Sequence, residues 1–207
     1  MPLALAGDAT EHRMTADAFH RFQIQRPDHE RWELIAGYPI MMSPVVIVHN
    51  RIASNLERLL NDALEGHDPS RTALQRLGVE LGGDDTDKPE PDIVVFDSDF
   101  QLGQRFIDRV YLLGEIVSST DDKMVPGTGR PWIEIKSELY RAHAPCTAVV
   151  LVEQQRIALR LWRRVGASWI VETLAGSDAE LDLPEFGLRC RLGALYQGTP
   201  LTPRSPR

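Results

Sequence analysis

The sequence predicts an α+β fold in which a central mixed β-sheet is flanked by helices, with an additional helix and β-hairpin near the N-terminus. Short apolar runs bounded by Pro, Gly or Ser recur along the chain, which is typical of buried strands. Other segments carry apolar residues at helical spacing. The order of helix, hairpin, helix, strands, helix and strands is that of a mixed sheet flanked by helices.

The first half of the chain contains a helix, a hairpin, a long helix and a strand. "MTADAFHRFQ" predicts a short helix capped by Thr15, and "RWELIAGYPIMMSP" predicts a hairpin that turns around Gly37 and Pro39. "VVIVHNRIASNLERLLNDALEG" predicts a long amphipathic helix that ends at Gly66. "TALQRLGVELGG" predicts a single strand.

The second half supplies most of the predicted sheet. "EPDIVVFDSDF" and "RVYLLGEIVSS" predict two neighbouring strands, and "RPWIEIKSELYRAHA" predicts a helix with Pro near its start. "TAVVLVEQQRIALRLWRRVGASWIVETLAG" predicts three further strands, and "LDLPEFGLRCRLGALY" predicts a short cap. A chain of 207 residues then suits one domain at 11–197, with flexible ends at 1–10 and 198–207.

Composition excludes several classes of protein. With a formal net charge of −7, any nucleic-acid contact needs a local basic patch. Cys146 and Cys190 are too few for a disulfide scaffold and lack the spacing of a metal site. "MPLALAG" has no basic segment typical of a signal peptide, and no run approaches the roughly 18 apolar residues of a membrane span. We therefore expect a cytoplasmic protein without membrane contact.

Two neighbouring predicted strands each carry one carboxylate in an apolar run. Asp92 precedes "IVVF", and Glu115 lies between "VYLLG" and "IV". Because two close carboxylates repel unless a proton or cation lies between them, the pair predicts a site for a hard divalent cation such as Mg²⁺. The alternative is that each acid lies at a strand edge in solvent.

A lysine is predicted to point toward the same sheet. On a helical wheel, Lys136 falls in the middle of an apolar arc. The arc consists of Trp132, Ile133, Ile135, Leu139 and Tyr140. Because a cation directed into a core needs an anionic partner, Lys136 is expected to reach the two acids. The alternative is a lysine whose stem covers apolar surface while its amine reaches water. Lys123, in the polar loop, is a weaker candidate.

Two further residues are candidates for this site. Glu33 in "WELIAG" is a third acid in an apolar run, although an exposed position on the hairpin explains the pattern equally well. His49 begins the long helix on its apolar face, which also carries Ile52, Ala53, Leu56 and Leu60. It is either a core histidine with satisfied hydrogen bonds or a group that contacts the site.

These segments, in this order, resemble the Uma-two family of restriction endonucleases within the PD-(D/E)XK nuclease superfamily. The resemblance rests on "WELIAGYPIMMSP", on His49, on "PDIVVF", on "LLGEIVSS" and on the helix bearing "KSELY", and extends from about Glu33 to about Glu153. It implies a restriction-endonuclease-like core. In that core Asp92 matches the PD acid, Glu115 the second acid, and Glu33 an early acid of the family.

The chain departs from the family pattern at three places. The superfamily's lysine stands two residues after the second acid, where this chain has Val117; in this family a lysine on the following helix takes its place, and Lys136 matches it. The family's Ser-Pro after the second acid is Ser118-Ser119 here. An acid one turn before the helix lysine is replaced by Trp132. These departures concern the activity more than the fold.

The resemblance implies metal-dependent hydrolysis of a phosphodiester, with DNA as the expected substrate. Asp92 and Glu115 would bind Mg²⁺ or Mn²⁺, with Glu33 as a further ligand. Lys136 would orient the attacking water or neutralise developing charge, and His49 would be an auxiliary group. Cutting both strands of a duplex needs two sites, so a homodimer is expected.

Arginines are the candidates for contact with DNA phosphates. In "RIALRLWRR", Arg156, Arg160 and Arg164 alternate on one predicted strand face beside Trp162, which suits phosphate binding. A solvated outer strand face explains the pattern as well. Two further candidates lie between the acid-bearing strands in sequence: Arg105 and Arg109.

Two other functions are compatible with the sequence. One is a binding or structural protein that keeps a nuclease scaffold without its chemistry, which Val117, Ser119, Trp132 and the acidic net charge favour. The other is an enzyme that uses the same acids on a smaller substrate. The first predicts no metal-dependent cleavage, and the second predicts metal binding without affinity for DNA.

Overall fold

The computed structural model describes residues 13–27, 29–42, 44–81, 86–118, 124–125 and 128–202. Lys123, Ser119 and most of the predicted flexible ends lie outside these residues. The helices of the described part are α1 (Ala16–Ile24), α2 (Ile47–His67) and α3 (Trp132–Ala142). Its strands are β1 (Trp32–Ile35), β2 (Tyr38–Met41), β3 (Arg71–Leu74), β4 (Gly78–Val79), β5 (Ile93–Asp97), β6 (Phe106–Ile107), β7 (Val110–Val117), β8 (Ala148–Glu153), β9 (Ala158–Val165), β10 (Ser168–Ala175), β11 (Glu180–Leu183) and β12 (Leu188–Arg191).

Six of these strands form the central sheet, in the order β10-β9-β8-β7-β5-β3. β7 and β8 are parallel, and the other neighbouring pairs of this sheet are antiparallel. Parallel strands need a crossover connection, and α3 lies in the segment that joins β7 to β8. The predicted mixed sheet is confirmed.

Each face of the sheet packs against a different helix. Because side chains alternate along a strand, Ile93 and Val95 of β5 lie in an apolar cluster with α2, whereas Val94 and Phe96 lie in a second cluster with Tyr140 of α3. The C-terminal segment with β11 and β12 packs on α2, as the predicted cap requires. The predicted arrangement of helices on both sides of the sheet is therefore confirmed.

The helix ends agree closely with the sequence patterns. The Thr15 side chain accepts a hydrogen bond from the backbone N–H of Ala18 (3.3 Å), so it caps α1 as predicted. α2 runs one residue beyond the predicted end at Gly66, to His67. None of the described helices is long and apolar enough to cross a membrane.

The stretch "TALQRLGVELGG" forms two strands, so the prediction of a single strand is wrong. β3 joins the central sheet, whereas β4 pairs in parallel with β6. Arg76, between them, has a φ of 56°, a left-handed conformation that non-glycine residues rarely adopt. Its backbone N–H donates to the carbonyl of Pro91 (3.1 Å), which holds the turn beside the start of β5.

Residues 198–202, the first part of the predicted C-terminal tail, fold back onto Tyr196. Thr199 is buried, and its hydroxyl donates to the Tyr196 carbonyl (2.7 Å). The Thr202 hydroxyl donates to the same carbonyl. Residues 203–207 lie outside the described part.

Candidate active site

Asp92 and Glu115 are brought together by the antiparallel pairing of β5 and β7. The register pairs Ile93 with Gly114, so Asp92, one residue before β5, lies opposite Glu115. The backbone N–H of Ile116 donates to Asp92 Oδ2 (2.9 Å). The two acids are only 5% and 4% exposed, so the alternative of solvated strand-edge acids is wrong.

Lys136, in α3, forms ion pairs with two acids. Its Nζ lies 2.8 Å from Glu115 Oε1 and 3.1 Å from Glu33 Oε2. The side chain is 3% exposed, so its amine does not reach water, and the inward orientation predicted by the wheel is confirmed. Burial alone would lower the pKa of the Lys136 amine, but Glu115 and Glu33 raise it well above its ordinary value. The group therefore carries a positive charge at physiological pH.

Glu33 reaches this lysine from the hairpin of β1 and β2. The hairpin is fixed to the segment before β5, because Leu34 and Lys88 exchange backbone hydrogen bonds of 3.1 and 2.7 Å. The backbone N–H of Glu90 also donates to Glu33 Oε2 (3.4 Å). Glu33 is buried, so the alternative of an exposed hairpin position is wrong.

His49, in the first turn of α2, contacts Asp92. Its Nε2 lies 3.0 Å from Asp92 Oδ2, whereas its buried Nδ1 has no hydrogen-bond partner among the described residues. Since a carboxylate accepts, Nε2 carries the proton in this contact. Burial raises the pKa of Asp92, but His49 and the Ile116 N–H outweigh it, and the pKa falls below its ordinary value. Asp92 is therefore ionised at neutral pH.

Tyr140 is a member of the cluster that the sequence patterns did not single out. Its hydroxyl donates to Glu115 Oε1. Burial raises the pKa of Glu115 to about 8; Lys136 opposes this shift, and the charges of Asp92 and Glu33 add to it. Burial and Glu115 raise the pKa of Tyr140 well above its ordinary value, so it stays a donor. The available signal was its position four residues after Lys136, on the same helix face.

The chemistry of these donors suits a hard divalent cation. The described residues hold no preformed group of three His, Cys, Asp or Glu side chains placed to bind a metal ion. Mg²⁺ nevertheless commonly takes only one or two carboxylates and completes its shell with water and substrate phosphates. Lys136 contacts Glu115 and Glu33, and the charges of Asp92 and Glu33 contribute to the raised pKa of Glu115. The residues present thus fit Mg²⁺ or Mn²⁺.

The predicted arginine stripe is present only in part. Arg160 is exposed, and its guanidinium lies over the Trp162 ring (5.6 Å), as the alternation predicts. Arg156 lies before β9 and pairs with Glu153 (3.4 Å). Arg164 donates to the backbone carbonyls of Arg141 (3.0 Å) and His143 (2.9 Å), so its guanidinium is used within the fold. Strand alternation alone could not reveal these contacts. Of the arginines nearer the acids in sequence, Arg109 pairs with Asp97 (3.1 Å).

The chain is similar to known nuclease-like proteins. A family model described as "Uma2: Putative restriction endonuclease" matches residues 16–193. No curated protein matches the chain by sequence. A crystal structure described as "a putative nuclease belonging to DUF820" from Anabaena variabilis ATCC 29413 matches with a TM-score of 0.67 and 18% identity, over 88% of this chain and 97% of that one. At this identity the likeness shows a shared fold.

Proposed function

The chain belongs to the Uma2 family, and from that premise we propose that it is an endonuclease that hydrolyses phosphodiester bonds of DNA with a bound Mg²⁺ or Mn²⁺ ion. The observation that carries this proposal is the buried cluster in which Lys136 contacts Glu115 and Glu33 beside Asp92. Burying so many charges contributes little net stability. Clusters of carboxylates with perturbed pKa values are typical of catalytic sites.

Asp92, Glu115 and Glu33 are the residues proposed to hold the metal. A metal bound there would polarise the scissile phosphate and lower the pKa of a coordinated water. Asp92 is already ionised, because its pKa is lowered. Glu115, with a pKa of about 8, would release its proton on coordination.

Lys136 is proposed to act on the phosphate. Its charge is retained by the two carboxylates beside it, so it can neutralise the negative charge that develops in the transition state or orient the attacking water. Tyr140 is proposed to hold Glu115 through its hydroxyl, and His49 to hold Asp92 through Nε2. Tyr140 and His49 are therefore positioning residues in this mechanism.

The proposal extends to assembly and location. We propose a homodimer, because cleavage of both strands of a duplex needs two sites. We also propose a single domain at 11–197 and a cytoplasmic protein, in which its two free thiols remain reduced.

Supercoiled plasmid incubated with Mg²⁺ or Mn²⁺ tests the activity. We expect metal-dependent nicking that Asp92→Ala and Lys136→Ala abolish. Glu172→Ala, which removes a partly exposed acid from β10, is the matched control and should cut like the unmodified protein. Equal cutting by all four proteins would assign the activity to a contaminant.

A protein inert on both DNA and RNA would instead favour a binding protein on a nuclease scaffold. The departures from the family pattern at Val117 and Trp132 favour that alternative. A metal titration distinguishes it from an enzyme that uses the same acids on a smaller substrate.

A further inference from the structure

A groove of about 430 Å³ runs between α1, the β3–β4 turn and β6. Its lining includes Arg26, Arg76, Glu90 and Arg105. Glu90 pairs with Arg31, so its charge is already compensated. The groove therefore presents cations in a chain whose formal net charge is −7, which marks it as a candidate surface for an anion.

Arg76 is held in the groove by a strained backbone. Its φ of 56° is costly for a residue with a side chain, and glycine would adopt it without penalty. Within the described part of the chain, the Arg76 side chain donates one hydrogen bond, from Nη2 to Asn50 Oδ1 (3.0 Å), which is exposed and contributes little stability. Folding alone therefore does not explain an arginine at this position.

The groove adjoins the candidate active site through short connections. The backbone N–H of Arg76 donates to the carbonyl of Pro91, the residue before Asp92. Asn50, which accepts from the Arg76 side chain, follows His49 in α2. The backbone of Glu90, in the groove lining, contacts Glu33. Residues of the groove lining are thus bonded directly to Glu33 and to the residues that neighbour His49 and Asp92 in the chain.

The other two arginines also present charge to the groove. Arg26 lies over the rings of Phe22 (4.3 Å) and Trp32 (5.7 Å), which fixes its guanidinium in place. Arg105 is exposed and forms no ion pair within the described part of the chain. Guanidinium groups that line a groove suit the oxygens of phosphates.

We infer that this groove binds the sugar-phosphate backbone of a nucleic acid, with Arg76 and Arg105 as phosphate-contacting residues that direct the strand to the acids. The inference rests on the proposed function and deepens it. The inference assigns phosphate binding to this groove and not to the arginines of β9.

Binding of a fluorescein-labelled DNA duplex in EDTA, measured by anisotropy across a series of KCl concentrations, tests the groove. Arg76→Gly removes the cation at a position whose backbone conformation glycine adopts without penalty, so the fold is expected to be retained. We expect the double variant Arg76→Gly/Arg105→Ala to bind DNA about tenfold more weakly. The slope of the logarithm of the association constant against the logarithm of the salt concentration should also become shallower, by about 0.9 for each phosphate that the protein no longer neutralises. Arg189→Ala, which removes an exposed arginine of β12 outside the groove lining, is the control for charge and should change neither.

A single-stranded RNA probe in the same assay identifies the source of the phosphates. A loss of affinity for either probe that is confined to the groove variants supports the inference. The inference is overturned if the protein binds neither probe, or if Arg189→Ala weakens binding as much as the groove variants.

Cleavage separates this inference from the proposed function. If the double variant binds and cuts DNA normally while Asp92→Ala does not cut it, the inference about the groove is wrong and the nuclease function stands. If the unmodified protein leaves plasmid intact but the double variant loses binding, the inference about the groove stands and the nuclease function fails.

Discussion

Lys136→Met removes the ammonium group shared by Glu33 and Glu115 while nearly conserving volume. At an effective dielectric constant of about 20, contacts of 2.8 and 3.1 Å correspond to attractions of about 6 and about 5 kcal/mol. The cost of burying the ammonium group offsets most of this, and removing one partner of a buried ion pair typically costs about 3–5 kcal/mol. We expect the free energy of unfolding at pH 8 to fall by that amount.

The loss should be smaller at pH 5. Burial raises the pKa of Glu115 in the folded protein to about 8, from an ordinary value of 4.5. A raised carboxyl pKa means that the folded state binds more protons than the unfolded state, so this group's contribution to stability is lost as pH rises from 4.5 through 8. Without Lys136 that pKa rises further, so the variant should lose stability with pH more steeply than the unmodified protein.

Urea unfolding followed by tryptophan fluorescence at pH 5 and pH 8 measures both effects. Lys88→Met is the matched control, because Lys88 pairs with the exposed Glu80 (3.0 Å) and such a pair contributes about 0–1 kcal/mol. The reasoning is refuted if Lys136→Met costs no more than Lys88→Met at pH 8, or if its cost is the same at both pH values.

Two further predictions concern packing and thiol reactivity. Gly114→Ala should destabilise the protein by about 1–3 kcal/mol, because the added Cβ would lie 2.8 Å from Cγ2 of the buried Val150. Gly66→Ala in α2 should instead stabilise the protein by about 0.5–1 kcal/mol, because the added Cβ would lie in open space. Urea unfolding that gives the reverse order of stability would contradict this prediction. Burial raises the pKa of Cys146 to about 12, so iodoacetamide at pH 8 should label the half-buried Cys190 but not Cys146 until urea is added. Peptide mass spectrometry that finds equal labelling in the folded protein would be inconsistent with this burial.

The parts of the site that local periodicity determines were predictable from the sequence. Lys136 faces the sheet because helical spacing places it among apolar residues, and the contacts with Glu33 and Glu115 agree. Asp92 and Glu115 lie opposite each other because two consecutive strands pair directly. In both cases the decisive contacts follow from the regular geometry of one element or one strand pair.

The features that depend on remote partners were not predictable. β4 leaves the central sheet to pair with β6, and nothing in its own sequence identifies that partner. The conformation of Arg76 is equally hidden, because the sequence at this position suggests a continuous strand. Arg164 fits an exposed stripe by alternation, yet its partners are carbonyl groups at the end of α3.

The parallel pairing of β7 and β8 has a consequence for how the protein reaches its working form. The cluster takes its members from distant parts of the chain: Glu33 from β1, His49 from α2, Asp92 from just before β5, Glu115 from β7 and Lys136 from α3. A fragment must therefore extend from β1 to α3 to contain the whole cluster. α2 can form early from local contacts, whereas the crossover through α3 must wait for pairing between distant segments. The complete cluster would then assemble only at the last stage of refolding, after the helical signal has returned.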